Sequence, residues 1–170
     1  YVVKLKKPFF GFCLGCQLLG EVLGGTVEKM KKSEIGILDL YMKKECNNDF
    51  LFKNFDKSIK VLQWHSYQVK NLNNVEILAS SYLCKYQAFR YKKHAYGIQF
   101  HLEAKNNTIK SWASIPEYKK SLENSLGVGS MEKLENNTLA HLKIMNKNAT
   151  SMYKGFKSLI FKQQTEQPHP

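Results

Sequence analysis

Residues 8–25 read PFFGFCLGCQLLGEVLGG, and the order of residue types in this stretch decides the fold. Up to Cys13 the run is short and apolar, broken only by Gly11, which is the pattern of a buried strand. Beyond it, Leu14, Leu18 and Val22 recur at steps of four, as do Leu19 and Leu23, which is helical spacing. Gly24 and Gly25 then end the helix, because glycine takes the left-handed C-terminal conformation at no steric cost. A strand passing through a glycine-flanked turn directly into a helix is a building unit of α/β sheets.

The turn itself is Gly11-Phe12-Cys13-Leu14-Gly15. A nucleophile between strand and helix needs a strained backbone, and small residues on either side make room for it, as in the serine elbow G-x-S-x-G. A thiol at a helix N-terminus also meets free N–H groups and the positive end of the helix dipole, both of which favour thiolate. A buried structural cysteine between packing glycines fits the same five residues. Cys13 and Cys16 further form C-x-x-C, which opens redox and zinc readings. The redox reading needs a proline packed on the dithiol, and the internal candidate, Pro116, lies far downstream in a helical-looking region. Zinc needs two more ligands at suitable spacing, whereas Cys46 and Cys84 stand alone.

Working outward, short β-like segments follow at 26–30, 35–42, 59–69, 75–80, 87–91 and 96–101, separated by polar clusters such as Asn71-Leu72-Asn73-Asn74. Past Glu103 the period changes. Leu139, Leu142, Met145, Ala149, Met152, Phe156 and Leu159 recur at steps of three and four and predict a helix lying over the sheet. The expected architecture is one unit over 1–170, with a sheet core over 1–103, a helical cover over 104–165 and a polar tail over 163–170.

Composition bounds the rest. A hydrophobic fraction of 43% in 170 residues fills a core for one domain and excludes a wholly disordered chain. No apolar run reaches the ~18 residues of a membrane span. The net charge of +12 suggests nucleic acid, but 25 of the 26 basic residues are lysine and Arg90 is alone. Arginine forks for phosphate and base edges are therefore missing, and the lysines are scattered in ones and twos. A solvated basic surface with no nucleic-acid or membrane partner is the expectation. Four cysteines are too few for a disulfide framework and fit reduced thiols in a cytoplasm.

Two further clusters carry chemistry. In Tyr96-Gly97-Ile98-Gln99-Phe100-His101-Leu102-Glu103, an extended chain puts His101 and Glu103 on one face. A carboxylate beside an imidazole fixes its tautomer while the other ring nitrogen faces a nucleophile. A strand-end histidine with a solvated glutamate has the same spacing, so the pair gains meaning only with Cys13. In Gln63-Trp64-His65-Ser66-Tyr67, at the end of a strand over 59–63, an aromatic–His–hydroxyl group can line a small-molecule pocket or anchor a tryptophan.

Together these residues resemble the class I glutamine amidotransferases. GFCLGCQLLGEVLGG is similar to the family's G-x-C-x-G-x-Q nucleophile segment, and YGIQFHLE to its G-x-Q-F-H-P-E segment. EIGILDL and the WHS motif fall between them in the expected order. Within the family, ASSYLCKYQAFRY resembles the stand-alone branch related to the amidotransferase domain of GMP synthase. The resemblance implies a flavodoxin-like α/β fold with a mostly parallel sheet and flanking helices, needing no cofactor and no metal. It implies a triad in which Cys13 attacks the side-chain amide of glutamine, His101 moves the proton and Glu103 orients the imidazole. Leu14 then offers its N–H to the oxyanion, Gln17 lies beside the substrate, Ser66 and Tyr67 hold its amino-acid end, and His65 is a pocket neighbour.

The resemblance also implies two departures. Leu102 stands where the family has proline, which is expected to loosen the turn. Relatives carry further strands and a glycine-rich oxyanion loop before the nucleophile, so this sequence reads as incomplete at the N-terminus. As such it is expected to be poorly soluble and nearly inactive alone. The functional expectation is release of ammonia from glutamine through a cysteinyl thioester, with a separate synthetase partner holding the acceptor. The alternatives are a γ-glutamyl peptidase with the same triad and a non-catalytic module on the same scaffold.

Overall fold

A computed structural model describes residues 3–166. The last four residues of the polar tail, 167–170, lie outside the described residues. Strand β1 (Phe9–Phe12) leads into helix α1 (Leu14–Val22), as the elbow pattern predicts. Then come β2 (Thr26–Met42), a 3-10 turn (Lys44–Asn48), β3 (Ser58–Lys70), β4 (Glu76–Ser80), β5 (Ala88–Tyr91) and β6 (Ala95–Ile98). Three helices follow among the described residues: α2 (Thr108–Ala113), α3 (Pro116–Leu126) and α4 (Ser130–Glu166).

The strands form a six-stranded sheet in the order β1-β6-β5-β4-β2-β3. The sheet is mixed rather than mostly parallel: β1 and β6 run parallel, and every other neighbouring pair runs antiparallel. Short connections account for much of this. Consecutive strands can lie parallel only across a crossover of about a dozen residues or more. The links from β4 to β5 and from β5 to β6 are shorter than that, so the chain must reverse at each. Segments 26–30 and 35–42 join into one strand, interrupted by a bulge between Lys29 and Glu34 opposite β3. The last strand stops at Ile98, short of the predicted 101, but the chain beyond it stays tethered. His101 pairs with Leu62 of β3 through N–H···O bonds of 2.8 and 3.1 Å, so the sheet curls until β3 meets the end of β6.

Alternation along the strands builds two cores. Phe9 and Ala95 face α1, where Cys16, Leu19, Val69 and Phe89 pack. Phe10, Phe12, Tyr96 and Ile98 face the other way, toward α2, α3 and α4. The rings of Phe10 and Phe156 meet with centroids 4.9 Å apart, which ties α4 to β1. Helix α4 approaches closely at Gly155, where an added Cβ would lie 2.0 Å from the carbonyl oxygen of Phe50. Its buried face runs through Leu134, Thr138, Met145, Asn148, Met152 and Leu159. The predicted face holds: Met145, Met152 and Leu159 are buried, and Leu142, Ala149 and Phe156 pack against the core. Leu139 alone departs, at 41% exposed, and the neighbouring Thr138 is buried with its hydroxyl donating to the Leu134 carbonyl at 2.8 Å.

Candidate active site

Cys13 sits between β1 and α1 with φ 45° and ψ −103°. A side-chain-bearing residue avoids that left-handed region, at a cost of order 1–3 kcal/mol, unless its surroundings force it. Here the force is visible. The Cys13 N–H donates to the Ile98 carbonyl at 2.8 Å, and its carbonyl accepts from the Gln17 N–H at 3.1 Å. Gly11 completes the elbow: a Cβ there would lie 2.5 Å from the Gly15 carbonyl oxygen. Gly15 differs, since a Cβ on it meets nothing within 4 Å. Its smallness leaves the approach to the first turn open and is not needed for packing. Leu14, next in line, has a backbone N–H that helix geometry leaves without an intrahelical acceptor.

His101 is placed by its backbone pairing to Leu62 and packs edge-on against Trp112 at 5.2 Å. Its Nδ1 lies 2.6 Å from Glu103 Oε1, and the second Glu103 oxygen accepts from the Leu102 N–H at 2.9 Å. The pair therefore forms as predicted, although on the loop after β6 rather than on the strand. Leu102 does not loosen this turn. It is buried, and its N–H, which a proline lacks, pins the carboxylate. Burial works against a charged imidazole, but its interactions with Cys13 and Glu103 outweigh it and push the His101 pKa up to about 9. Burial likewise opposes the Glu103 charge, yet the His101 contact and backbone N–H groups hold its carboxyl below the usual range. A cavity of about 260 Å³ opens beside His101, Glu103 and Trp112.

The other thiols differ from Cys13. Cys16, Cys46 and Cys84 are buried, whereas Cys13 is half-buried, and all four are free. Burial holds the Cys16 thiol well above its ordinary value and pushes Cys46 and Cys84 up to about 12. A dithiol mechanism at C-x-x-C therefore lacks its second thiolate.

Of the remaining predicted residues, Gln17 and the Tyr67 carbonyl connect to Cys13 through Gln99, His65 supports that carbonyl, and Ser66 lies apart from them. Gln17 donates from Nε2 to Gln99 Oε1 at 3.1 Å and to the Tyr67 carbonyl at 3.4 Å. Gln99 in turn donates to Cys13 Sγ at 3.6 Å. WHSY lies in the middle of β3 rather than at a strand end, with His65 and Ser66 on opposite faces. His65 is buried: Nδ1 donates to the Tyr67 carbonyl at 2.8 Å, and Nε2 lies 3.1 Å from Glu34 and 3.3 Å from Gln87. Ser66 bonds Ser33 of the β2 bulge at 2.8 Å. Tyr67 faces solvent with its ring and the site with its carbonyl. Glu34, Gln87 and Gln99 are the residues that reading the sequence missed. The signal for Gln87 and Gln99 was a polar side chain beside apolar strand residues; Glu34, following Lys31-Lys32-Ser33, gave none. Arg90, the lone arginine, pairs internally with Asp49 and Glu76.

A profile of the class-I glutamine amidotransferase family matches residues 1–112. The chain belongs to the class-I glutamine amidotransferase family. A glutamine-hydrolysing GMP synthase subunit from Methanococcus vannielii is 37% identical over 100 residues, 58% of this chain and 51% of that one. Its counterpart of the same name from Sulfolobus acidocaldarius is 37% identical over 108 residues, 62% of this chain and 56% of that one. Among solved structures, a glutamine amidotransferase from Thermotoga maritima superposes with a TM-score of 0.79 and 29% identity, covering 91% of this chain and 64% of that one. The chain thus spans about half the length of the curated relatives it matches. The superposition extends the family fold past the matched segment and into the helical cover. Among the described residues, no helix is long and apolar enough to cross a membrane.

Proposed function

We propose that this chain is the glutamine-hydrolysing part of an amidotransferase and works with a separate synthetase partner. Its relatives are named as one subunit of a GMP synthase, which supports that division of labour. One observation carries the reading: Cys13 sits at a strained elbow beside His101 and favours the charged form of its imidazole, while His101 Nδ1 rests on Glu103. The Cys13 proton passes to His101, and the thiolate attacks the amide carbon of glutamine. His101 returns the proton to the leaving nitrogen, ammonia departs and a γ-glutamyl thioester remains. Water, deprotonated by His101, attacks the thioester, glutamate leaves and the thiol is restored. The Leu14 N–H receives the developing oxyanion, a contact of a kind worth roughly 10²–10³ in rate. Gln17, Ser66 and the Tyr67 backbone, with His65 behind them, contact or support the amino-acid end of glutamine. The sheet core over 1–103 and the helices over 104–165 act as one unit, and the free thiols suit a reducing compartment such as the cytoplasm.

The test is mass spectrometry of the full-length protein mixed with glutamine and quenched in acid, alongside an ammonia assay. A γ-glutamyl adduct on Cys13, lost together with ammonia release in Cys13→Ser, is the expected result. Ammonia release that survives Cys13→Ser would overturn the reading.

A further inference from the structure

The residues left over from the triad form one continuous path into the nucleophile. Starting at buried Glu34, it runs to His65 Nε2 at 3.1 Å and from His65 Nδ1 to the Tyr67 carbonyl at 2.8 Å. It continues to Gln17 Nε2 at 3.4 Å, to Gln99 Oε1 at 3.1 Å, and from Gln99 Nε2 to Cys13 Sγ at 3.6 Å. The polarity of this path follows from chemistry. A backbone carbonyl only accepts, so the groups of His65 and Gln17 that meet Tyr67 must both be N–H donors. The other N–H of the Gln17 amide then meets the oxygen of Gln99. Gln99 is thereby compelled to present its NH2 group, not its oxygen, to the sulfur. It cannot swing away: it is 1% exposed, and its backbone N–H is held by the Gln87 carbonyl at 2.8 Å.

We propose that Gln99 is a positioning residue for the nucleophile: its amide donates to the Cys13 sulfur, aims it and stabilises its anion, with a polarity fixed by the Tyr67 carbonyl through Gln17. The inference rests on the reading of Cys13 as nucleophile. Two steps benefit. Before attack, a donor on the sulfur holds the thiolate in one rotamer. In the hydrolysis of the thioester the C–S bond breaks, the electron pair returns to sulfur, and the same N–H receives the growing charge. The other ionisable groups around Cys13 are His101, backed by Glu103, and Cys16, which burial keeps as a thiol. Glu34 and His65 act only through the path.

The experiment is alkylation of Cys13 by iodoacetamide, followed by peptide mapping across a pH series, on the full chain without glutamine. Gln99→Glu keeps the shape and replaces the donor by a carboxylate. The rate–pH curve should move up by about one unit and the rate at pH 7 should fall roughly tenfold or more. Gln99→Met, with no donor and no charge, should slow the reaction by roughly three- to tenfold. Circular dichroism and urea unfolding establish that each variant is folded. Should either Gln99 variant fail to fold, Gln17→Met, which keeps Gln99 but removes its anchor, decides by the same slowing. Folded variants whose curves superimpose on the wild type would overturn the proposal. If Cys13 is not the reactive thiol in the wild type, the nucleophile reading falls as well. If it reacts but ignores Gln99, only this inference falls.

Discussion

The two sides of the proposed triad are held in place by opposite means. Cys13 is fixed by a strained backbone, with φ 45° and with Gly11 pressed against the carbonyl of Gly15. His101 and Glu103 are fixed by hydrogen bonds instead: two backbone bonds to Leu62, one between the side chains and one from the Leu102 N–H. Strain is written in glycines and can be read from sequence, whereas a hydrogen-bonded loop depends on where distant strands end up. The nucleophile side should therefore tolerate no added volume at Gly11, and the histidine side should respond to charge and pH.

The largest effect expected separates the chemistry from both scaffolds. His101→Ala should lower glutamine-dependent ammonia release by roughly 10²–10⁴ while urea unfolding shows a folded chain. Full activity in this variant would leave the histidine side with no part in the reaction. On the nucleophile side, Gly11→Ala should cost about 2–3 kcal/mol in urea unfolding, because the nearest clashing atoms belong to the backbone. Gly15→Ala is its control. With nothing within 4 Å of the new Cβ and a better helix former in place, stability should hold or rise slightly. Equal losses at the two glycines would mean that the elbow is not strained in the way described.

On the histidine side, charge should be the sensitive variable. The His101 pKa is raised from 6.5 to about 9, so the folded chain binds this proton more tightly than the unfolded one. Its contribution is fully present below about pH 6.5 and is lost as pH rises through about 9, on the order of 3 kcal/mol. Stability measured against pH should fall over that window in the wild type and stay flatter in His101→Gln. Parallel curves would show that the imidazole gains nothing from its partners. The smallest effect is expected from Leu102→Pro, which deletes one N–H to a carboxylate that keeps its histidine. A loss of roughly twofold to fivefold in activity, with KM unchanged, is the expected outcome.

This asymmetry also explains what the sequence made legible. The elbow, helix α1 and the place of Cys13 between strand and helix follow from local spacing, and so does the His101–Glu103 pair, two residues apart on an extended chain. Strand direction does not, because it depends on loop lengths and on the curl that brings Leu62 to His101. Nor does the bulge at 29–34, which joins two predicted strands into one and places Glu34 behind His65. Gln99 was visible as a motif letter without a role, since its task depends on Gln17 and Tyr67 arriving from other elements. On α4 the apolar period gave the core-facing side at every predicted position but Leu139, whose neighbour Thr138 is buried with its hydroxyl satisfied by its own helix.

Everything above depends on Cys13 being the nucleophile, and a glutamine-mimicking electrophile probes that thiol without any assumption about the acceptor. Intact mass and fragment spectra that separate Cys13 from Cys16 should show one adduct, on Cys13, formed more slowly when glutamine is present. Adducts on Cys16, Cys46 or Cys84 in preference to Cys13 would contradict the assignment.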